Sequence, residues 1–347
     1  MKLGFRWYGT DDPVTLTNIR QIPTMNSIVT AIYDEPVGEI WPNEKIQKLK
    51  AEVEQAGLNF DVIESVPVHE DIKLGLPTRK AYIEHYKENI RRLAAHGIKV
   101  ICYNFMPVFD WTRTDLFHQN QDGSTSLTFD MNEAMAIDPF NSNLSLPGWD
   151  TSYELSELHA LFTAYQAVDA EKLWENLAYF LQEIIPVAEA SGVKMAIHPD
   201  DPPMAIFGLP RILVDEAAFD RLLSLYDSEY NGITFCTGSL GSGVQNDIYQ
   251  MLDKYLAQNR VPFIHIRNVH LESDGSFQET AHYSAYGSID MVRIMGILHK
   301  HNFTGYLRPD HGRMIWGEQG RAGYGLYDRA LGASYLLGIW ETYSKIK

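Results

Sequence analysis

Along most of the chain, short runs of β-branched, aromatic and aliphatic residues alternate with longer stretches whose apolar positions recur every three to four residues. The short runs are strand candidates: LGFRWY (3–8), SIVTAIY (27–33), FDVIESV (60–66), IKVICYNF (98–105), VKMAIH (193–198), GITFC (232–236), PFIHIRN (262–268) and GYLRPD (305–310). The stretches between them carry helical periodicity. Tyr86, Ile90, Leu93 and Ala94 share one face, and Gly97 follows as a stop. Leu173, Leu177, Phe180, Leu181, Ile184 and Ile185 form a second stripe, which Pro186 is expected to kink and Gly192 to end. Ile248, Leu252, Tyr255 and Leu256 form a third. Met291, Ile294, Met295 and Leu298 form a fourth, with Ser288 as its expected N-cap. YDRALGASYLLGIWETY closes the chain as a last helix.

Eight strands, each followed by a helix, predict a closed parallel sheet of the α/β class, a (β/α)8 TIM barrel that takes up residues 1–347 as a single domain. An open doubly wound sheet is the competing architecture, but no glycine-rich phosphate loop follows the first strand. The rhythm breaks once. Residues 106–155 are rich in Asp, Asn, Ser, Thr and Gly and read as a long irregular insertion after strand four. Such a segment is expected to be a lid or binding loop over the site rather than a second domain.

Composition narrows the partners. The chain has 29 Lys+Arg against 45 Asp+Glu, a net charge of −16. A surface that negative repels phosphate backbones and anionic membranes, so neither nucleic acid nor a membrane is expected as a partner. No apolar run approaches the ~20 residues of a spanning helix. The opening MKLGFRWYGTDDP lacks the apolar stretch of a signal peptide, and Cys102 and Cys236 do not make a disulfide framework. A cytoplasmic protein is the expectation.

In barrels of this kind the chemistry gathers at the carboxyl ends of the strands. Those ends carry His198 in AIHPDD, Cys236 in ITFCTGSLG, His265 in FIHIRN and Asp310 in LRPDHGR. They belong to strands five to eight, neighbours around the ring, each about one βα unit from the next, so the four side chains are predicted to converge at the barrel mouth. Imidazole, thiolate, imidazole and carboxylate all bind divalent transition metals. Taken singly, each has a plainer reading: a histidine satisfied within the core, a cysteine acting as a small hydrophobe, an aspartate after proline making a turn. Cys102, ending strand four, is given that plain role. Four ligand types on four successive strands favour a metal. Their softness points to zinc, while iron(II), manganese and cobalt also tolerate the set.

Other candidates surround these four. His311 adjoins Asp310, and imidazole is the usual general base near neutral pH; a solvated loop histidine is the alternative. Tyr324 and Tyr327, in GRAGYGLYDRALG, can each protonate a leaving hydroxyl or merely pack against the last helix. Arg308, Arg313 and Arg267 offer planar forks for a substrate carboxylate, and at least one of them is expected to be a structural ion-pair partner instead. SLGSG (239–243) is a weak signal for an anion cradle, and Asp200-Asp201-Pro-Pro reads as a rigid turn beside His198.

The motifs RWYG, IRQIP, YNFMPVFDWTRTDL, IHPDDPP, TFCTGSLG, IHIRN, RPDHGR and GYGLYDRALG resemble those of the D-mannonate dehydratase family, from the first strand to the last helix. The resemblance implies a xylose-isomerase-like barrel that needs manganese or iron(II), with zinc less favoured. It implies His198, Cys236, His265 and Asp310 as metal ligands. It implies His311 and a tyrosine of GYGLYD, Tyr324 ahead of Tyr327, as proton-transfer groups, with Asp310 belonging to the metal and the catalytic sets alike. The implied enzyme is a hydro-lyase of hexuronate breakdown, a homo-oligomer (a dimer) that takes a small sugar acid, D-mannonate, and eliminates water to give 2-dehydro-3-deoxy-D-gluconate. A divalent-metal sugar isomerase or epimerase on the same barrel is the enzymatic alternative, although such sites favour carboxylates over a thiolate. A metal-dependent endonuclease is disfavoured by the charge, and a non-catalytic sugar-acid binder is the remaining class.

Overall fold

All eight apolar runs become staves of one barrel. The computed structural model describes residues 1–138 and 155–346. Its strands are β1 (Lys2–Arg6), β2 (Ser27–Thr30), β3 (Asn59–Glu64), β4 (Val100–Tyr103), β5 (Asp115–Gln119), β6 (Thr125–Phe129), β7 (Lys194–Ile197), β8 (Asn231–Cys236), β9 (Phe263–Ile266), β10 (Asn268–Leu271), β11 (Phe277–Thr280) and β12 (Tyr306–Pro309). The barrel runs β1-β12-β9-β8-β7-β4-β3-β2, all parallel, and closes because β1 pairs with both β12 and β2. Val29, Val62, Val100, Cys102, Ala196, Phe263 and Tyr306 pack together as the cluster inside the ring. The second, larger apolar cluster packs the staves against the surrounding helices.

The helices form where the apolar stripes predicted them. Arg79–Ala95 and Ala170–Ser191 lie side by side, with the rings of Tyr86 and Phe180 5.0 Å apart. The latter ends on Gly192 in the left-handed conformation, φ 68°, where glycine carries no Cβ penalty. It runs through Pro186 as one continuous helix. Ser288 is not the cap of the helix Met291–Lys300: Asp290 is, its carboxylate accepting from Val292 and Arg293 N–H. The Ser288 hydroxyl instead accepts from Leu271 N at 3.0 Å, which leaves the charged residue adjoining the helix to satisfy its free donors.

The insertion is more regular than its composition suggests. Residues 115–119 and 125–129 form the hairpin β5–β6, and Met131–Ala136 is a short helix. β6 pairs with β11, giving a four-stranded antiparallel sheet in the order β10-β11-β6-β5. Phe129 and Phe277 stack across it, ring centroids 5.5 Å apart. Thr125 bridges Met314, so this sheet is tied to the chain just beyond β12 and stands at the carboxyl end of the barrel. The part of the expected insertion at 139–154 lies outside the described residues. Among the described residues, no helix is long and apolar enough to cross a membrane.

Candidate active site

Register brings the candidate ligands together. Cys236 on β8 is paired with His265 on β9, and His265 in turn with Arg308 on β12. Asp310, two residues on, faces the same way as Arg308, as strand alternation requires. His198 follows β7 directly, its N–H held by Tyr103 O at 2.7 Å. The ligand atoms of His198, Cys236 and His265 all lie within 4.8 Å of one another. Asp310 completes the set, with Oδ2 3.5 Å from Cys236 Sγ and Oδ1 4.0 Å from His265 Nδ1.

The surroundings prepare these atoms for a cation. His198 Nδ1 donates to Pro199 O at 2.7 Å, which leaves Nε2 as the free lone pair. Cys236 Sγ accepts from Ser239 N at 3.4 Å and Ser239 Oγ at 3.1 Å, two donors that suit a thiolate. His265 Nε2 is buried, 3.1 Å from Glu64 Oε2 but off the line of a hydrogen bond, and has no hydrogen-bond partner among the described residues. Burial opposes charge on Asp310, but Arg308, His311 and Arg267 outweigh it and hold the carboxyl well below its ordinary range. Two imidazoles, a sulfur with two donors and an ionised carboxylate fit a divalent transition metal.

A second cluster shares His265 with Glu64 and Cys102. Glu64 is fully engaged, taking Arg308 at 2.8 and 3.0 Å and standing 3.1 Å from Arg6 Nη1. Burial and then the charge of Glu64 push the Cys102 thiol well up, and Thr234 Oγ1 donates to it at 3.3 Å. A neutral thiol beside a carboxylate that already faces two guanidiniums makes a poor metal site, so Cys102 keeps its plain packing role.

Beside the four candidate ligands sits a hydrogen-bonded chain of side chains. His311 Nδ1 lies 2.8 and 2.9 Å from the two oxygens of Glu279, and Tyr324 Oη lies 2.8 Å from His311 Nε2. Burial opposes charge on Glu279 as well, but His311, Arg267 and Arg113 lower its pKa to about 2. The two Glu279 oxygens at Nδ1, both closer than Arg267 Nη1 at 3.0 Å, place the ring proton there and leave Nε2 as the acceptor. Burial, then Tyr8 and Asp310, push the Tyr324 phenol well up, so it stays a proton donor. Glu279 is itself clamped by Arg113 at 2.6 Å and Arg267 at 3.2 Å, and Asp201 binds the same two arginines at 2.8 and 2.6 Å. The rigid turn expected at Asp200-Asp201 therefore supplies a buried charge as well. Gly238, just before SLGSG, is explained by this clamp: a Cβ there would stand 1.9 Å from Arg267 Nε, so this glycine makes room for a guanidinium.

Of these groups, His198, Asp310, His311 and Tyr324 line a cavity of about 340 Å³ at the mouth of the barrel, together with Trp111 and Tyr103 among others. Of the arginines nominated from sequence, Arg308 and Arg267 reach this wall and Arg313 does not. Arg313 is bound by the buried Asp328 at 3.0 Å and the exposed Asp122 at 2.8 Å and lines a different hollow, because these two carboxylates hold it away from the barrel mouth. Tyr327 is likewise remote, 42% exposed and packed against Trp316 at 5.4 Å, which leaves Tyr324 as the tyrosine at His311. Sequence reasoning passed over Glu64, Arg113, Glu279 and Arg6. Arg6 and Arg113 lie within the motifs RWYG and YNFMPVFDWTRTDL, but the partners of all four are far away along the chain.

Known proteins resemble this chain over its whole length. The sequence model of the family described as D-mannonate dehydratase (UxuA) matches residues 1–347. A mannonate dehydratase of Streptococcus uberis is 60% identical over 345 residues, 99% of both chains. Mannonate dehydratase 2 of Halalkalibacterium halodurans is 56% identical over 344 residues, covering 99% of this chain and 100% of that one. Among solved structures, the mannonate dehydratase from Streptococcus suis serotype 2 superposes with a TM-score of 0.93 at 53% identity, covering 99% of this chain and 95% of that one. A xylose isomerase domain protein from Planctomyces limnophilus, at 13% identity and a TM-score of 0.58, covers 99% of both chains and shares the fold alone.

Proposed function

The chain belongs to the D-mannonate dehydratase family, and from that premise we propose that it eliminates water from D-mannonate to give 2-dehydro-3-deoxy-D-gluconate. The observation that carries this reading is the juxtaposition, at the carboxyl ends of the barrel strands, of a His-Cys-His-Asp set with a histidine–tyrosine pair 2.8 Å apart. His198, Cys236, His265 and Asp310 would hold the divalent ion, which we assign as manganese or iron(II). Its chemistry is positive charge placed where the substrate becomes more negative as the weakly acidic C2 proton departs.

The protein's own groups carry the protons. His311 Nε2, its tautomer held by Glu279, removes the proton from C2. Tyr324, a phenol kept neutral by its surroundings, donates to the departing C3 hydroxyl, which leaves as water. The imidazolium then returns its proton to the tyrosinate across their hydrogen bond, and the enol product ketonises by moving its hydroxyl proton to C3. Charge and protons balance over the cycle. Replacing His311 with Ala is expected to abolish release of the 2-keto acid, read by a chromogenic keto-acid assay, with metal content by elemental analysis close to wild type. A kcat like that of the parent enzyme would remove the histidine from the mechanism.

A further inference from the structure

A sugar acid brings a carboxylate, and the arginines nominated for it are already occupied. Arg308 serves Glu64 and lies 2.7 Å from Asp310, and Arg267 is locked between Asp201 and Glu279. Arg6 differs. It ends β1, is 8% exposed, and forms part of the cavity wall. Its one ion pair is the 3.1 Å approach of Nη1 to Glu64 Oε1, whose geometry falls short of a hydrogen bond. Nε and Nη1 are buried with no hydrogen-bond partner among the described residues. Both oxygens of Glu64 accept from Arg308, and Arg6 approaches Oε1 without reaching hydrogen-bond geometry. Buried donors are nearly always met, so a guanidinium left short at a cavity wall calls for an acceptor that the chain itself does not provide.

The neighbouring groups complete such a subsite. The guanidinium of Arg6 lies 4.9 Å from the ring centre of Tyr8, and that of Arg321 lies 4.2 Å from the same ring. Arg321 also lines the cavity and has no carboxylate within ion-pair distance among the described residues. Tyr8 meets Tyr324 edge-on at 5.0 Å, so this cationic corner is one ring away from the proton donor.

We propose that Arg6 binds the carboxylate of the sugar acid, with Arg321 across Tyr8 as the second cation of the same subsite. This rests on the dehydratase reading above. A carboxylate held there has its C2 and C3 within a few bonds of His311 and Tyr324, and the planar guanidinium suits its two oxygens.

The test uses metal-replete full-length enzyme, D-mannonate as substrate and D-mannonamide, its neutral amide, as competitive inhibitor. Turnover of D-mannonate by the wild type is measured first; its absence defeats the dehydratase reading itself. With turnover present, Arg6→Gln is expected to raise KM for D-mannonate at least about tenfold while Ki for the amide moves less than about threefold. Arg6→Lys, which keeps the charge opposite Glu64 without the planar fork, is expected to raise KM about fivefold, and it decides the case if the glutamine variant does not fold. An unchanged KM in the variant that folds, or equal weakening of acid and amide, overturns the proposal.

Discussion

Glu279 shows how much one side chain outside every motif can control. It touches His311 Nδ1 with both oxygens while two arginines keep it charged. Replacing it with Gln leaves a neutral group that can accept or donate at Nδ1, so the ring tautomer is no longer fixed and Nε2 is not reliably the base. By analogy with other carboxylate–histidine pairs, kcat is expected to fall about 10²–10⁴-fold. KM for D-mannonate and the metal content are expected to stay near wild type, a split that general structural damage would not produce. Parallel losses in all three would reduce Glu279 to a packing residue. At this scale the sequence was legible only in part. His198, Cys236, His265 and Asp310 could be nominated because each sits where a stave ends, a position that hydrophobic runs disclose, and the structure places them side by side. The groups that tune them could not. Arg113 binds Glu279 from 166 residues away and Arg308 binds Glu64 from 244 residues away, and no local pattern encodes such pairs.

Among the elements, the second sheet is where composition misled. A stretch dominated by Asp, Asn, Ser and Gly reads as loop, yet Leu127 and Phe129 alternate with polar residues and are each 1% exposed. Two inward side chains over five residues make too brief a signal to outweigh their surroundings. What stabilises the hairpin is tertiary, the packing of Phe129 on Phe277 across the β6–β11 pair. That pairing also has a catalytic consequence, since Glu279 lies on β11 two residues beyond Phe277. Phe129→Ala removes a large buried ring, which costs about 3–5 kcal/mol where the site cannot collapse. The effect is expected to concentrate in the added sheet: faster amide exchange at β6 and β11, unchanged protection in the barrel staves, and a kcat lowered by the loosened Glu279. Uniform exchange across barrel and sheet, with kcat retained, would show that the sheet does not position the relay.

For the molecule as a whole, acid is the condition that tests the buried charge lattice. Burial opposes ionisation of Glu64, Asp201, Glu279 and Asp310, yet arginine and histidine neighbours lower all four, Glu279 to about 2 and Glu64 and Asp310 well below their ordinary values. A carboxyl with a depressed folded pKa binds fewer protons in the native state than in the unfolded chain. Its contribution is therefore present above the unfolded value of about 4 and is lost as pH falls through the folded value. Asp110 and Asp200 act oppositely, because burial raises both and favours their protonated forms. The general charge works the same way as these two: relieving a net −16 on mild acidification reduces self-repulsion. Between pH 7 and 5 the melting temperature is thus expected to hold or rise slightly. Below about pH 4 the four paired carboxylates take over and stability should fall steeply toward pH 2, and a bound metal adds to the fall because its ligands must stay deprotonated. Thermal melts from pH 7 to 2.5 decide the matter. A melting temperature at pH 3 equal to that at pH 7 would mean that these carboxylates are not held ionised in the native state, and with them would go the charged framework that positions His311 and Asp310.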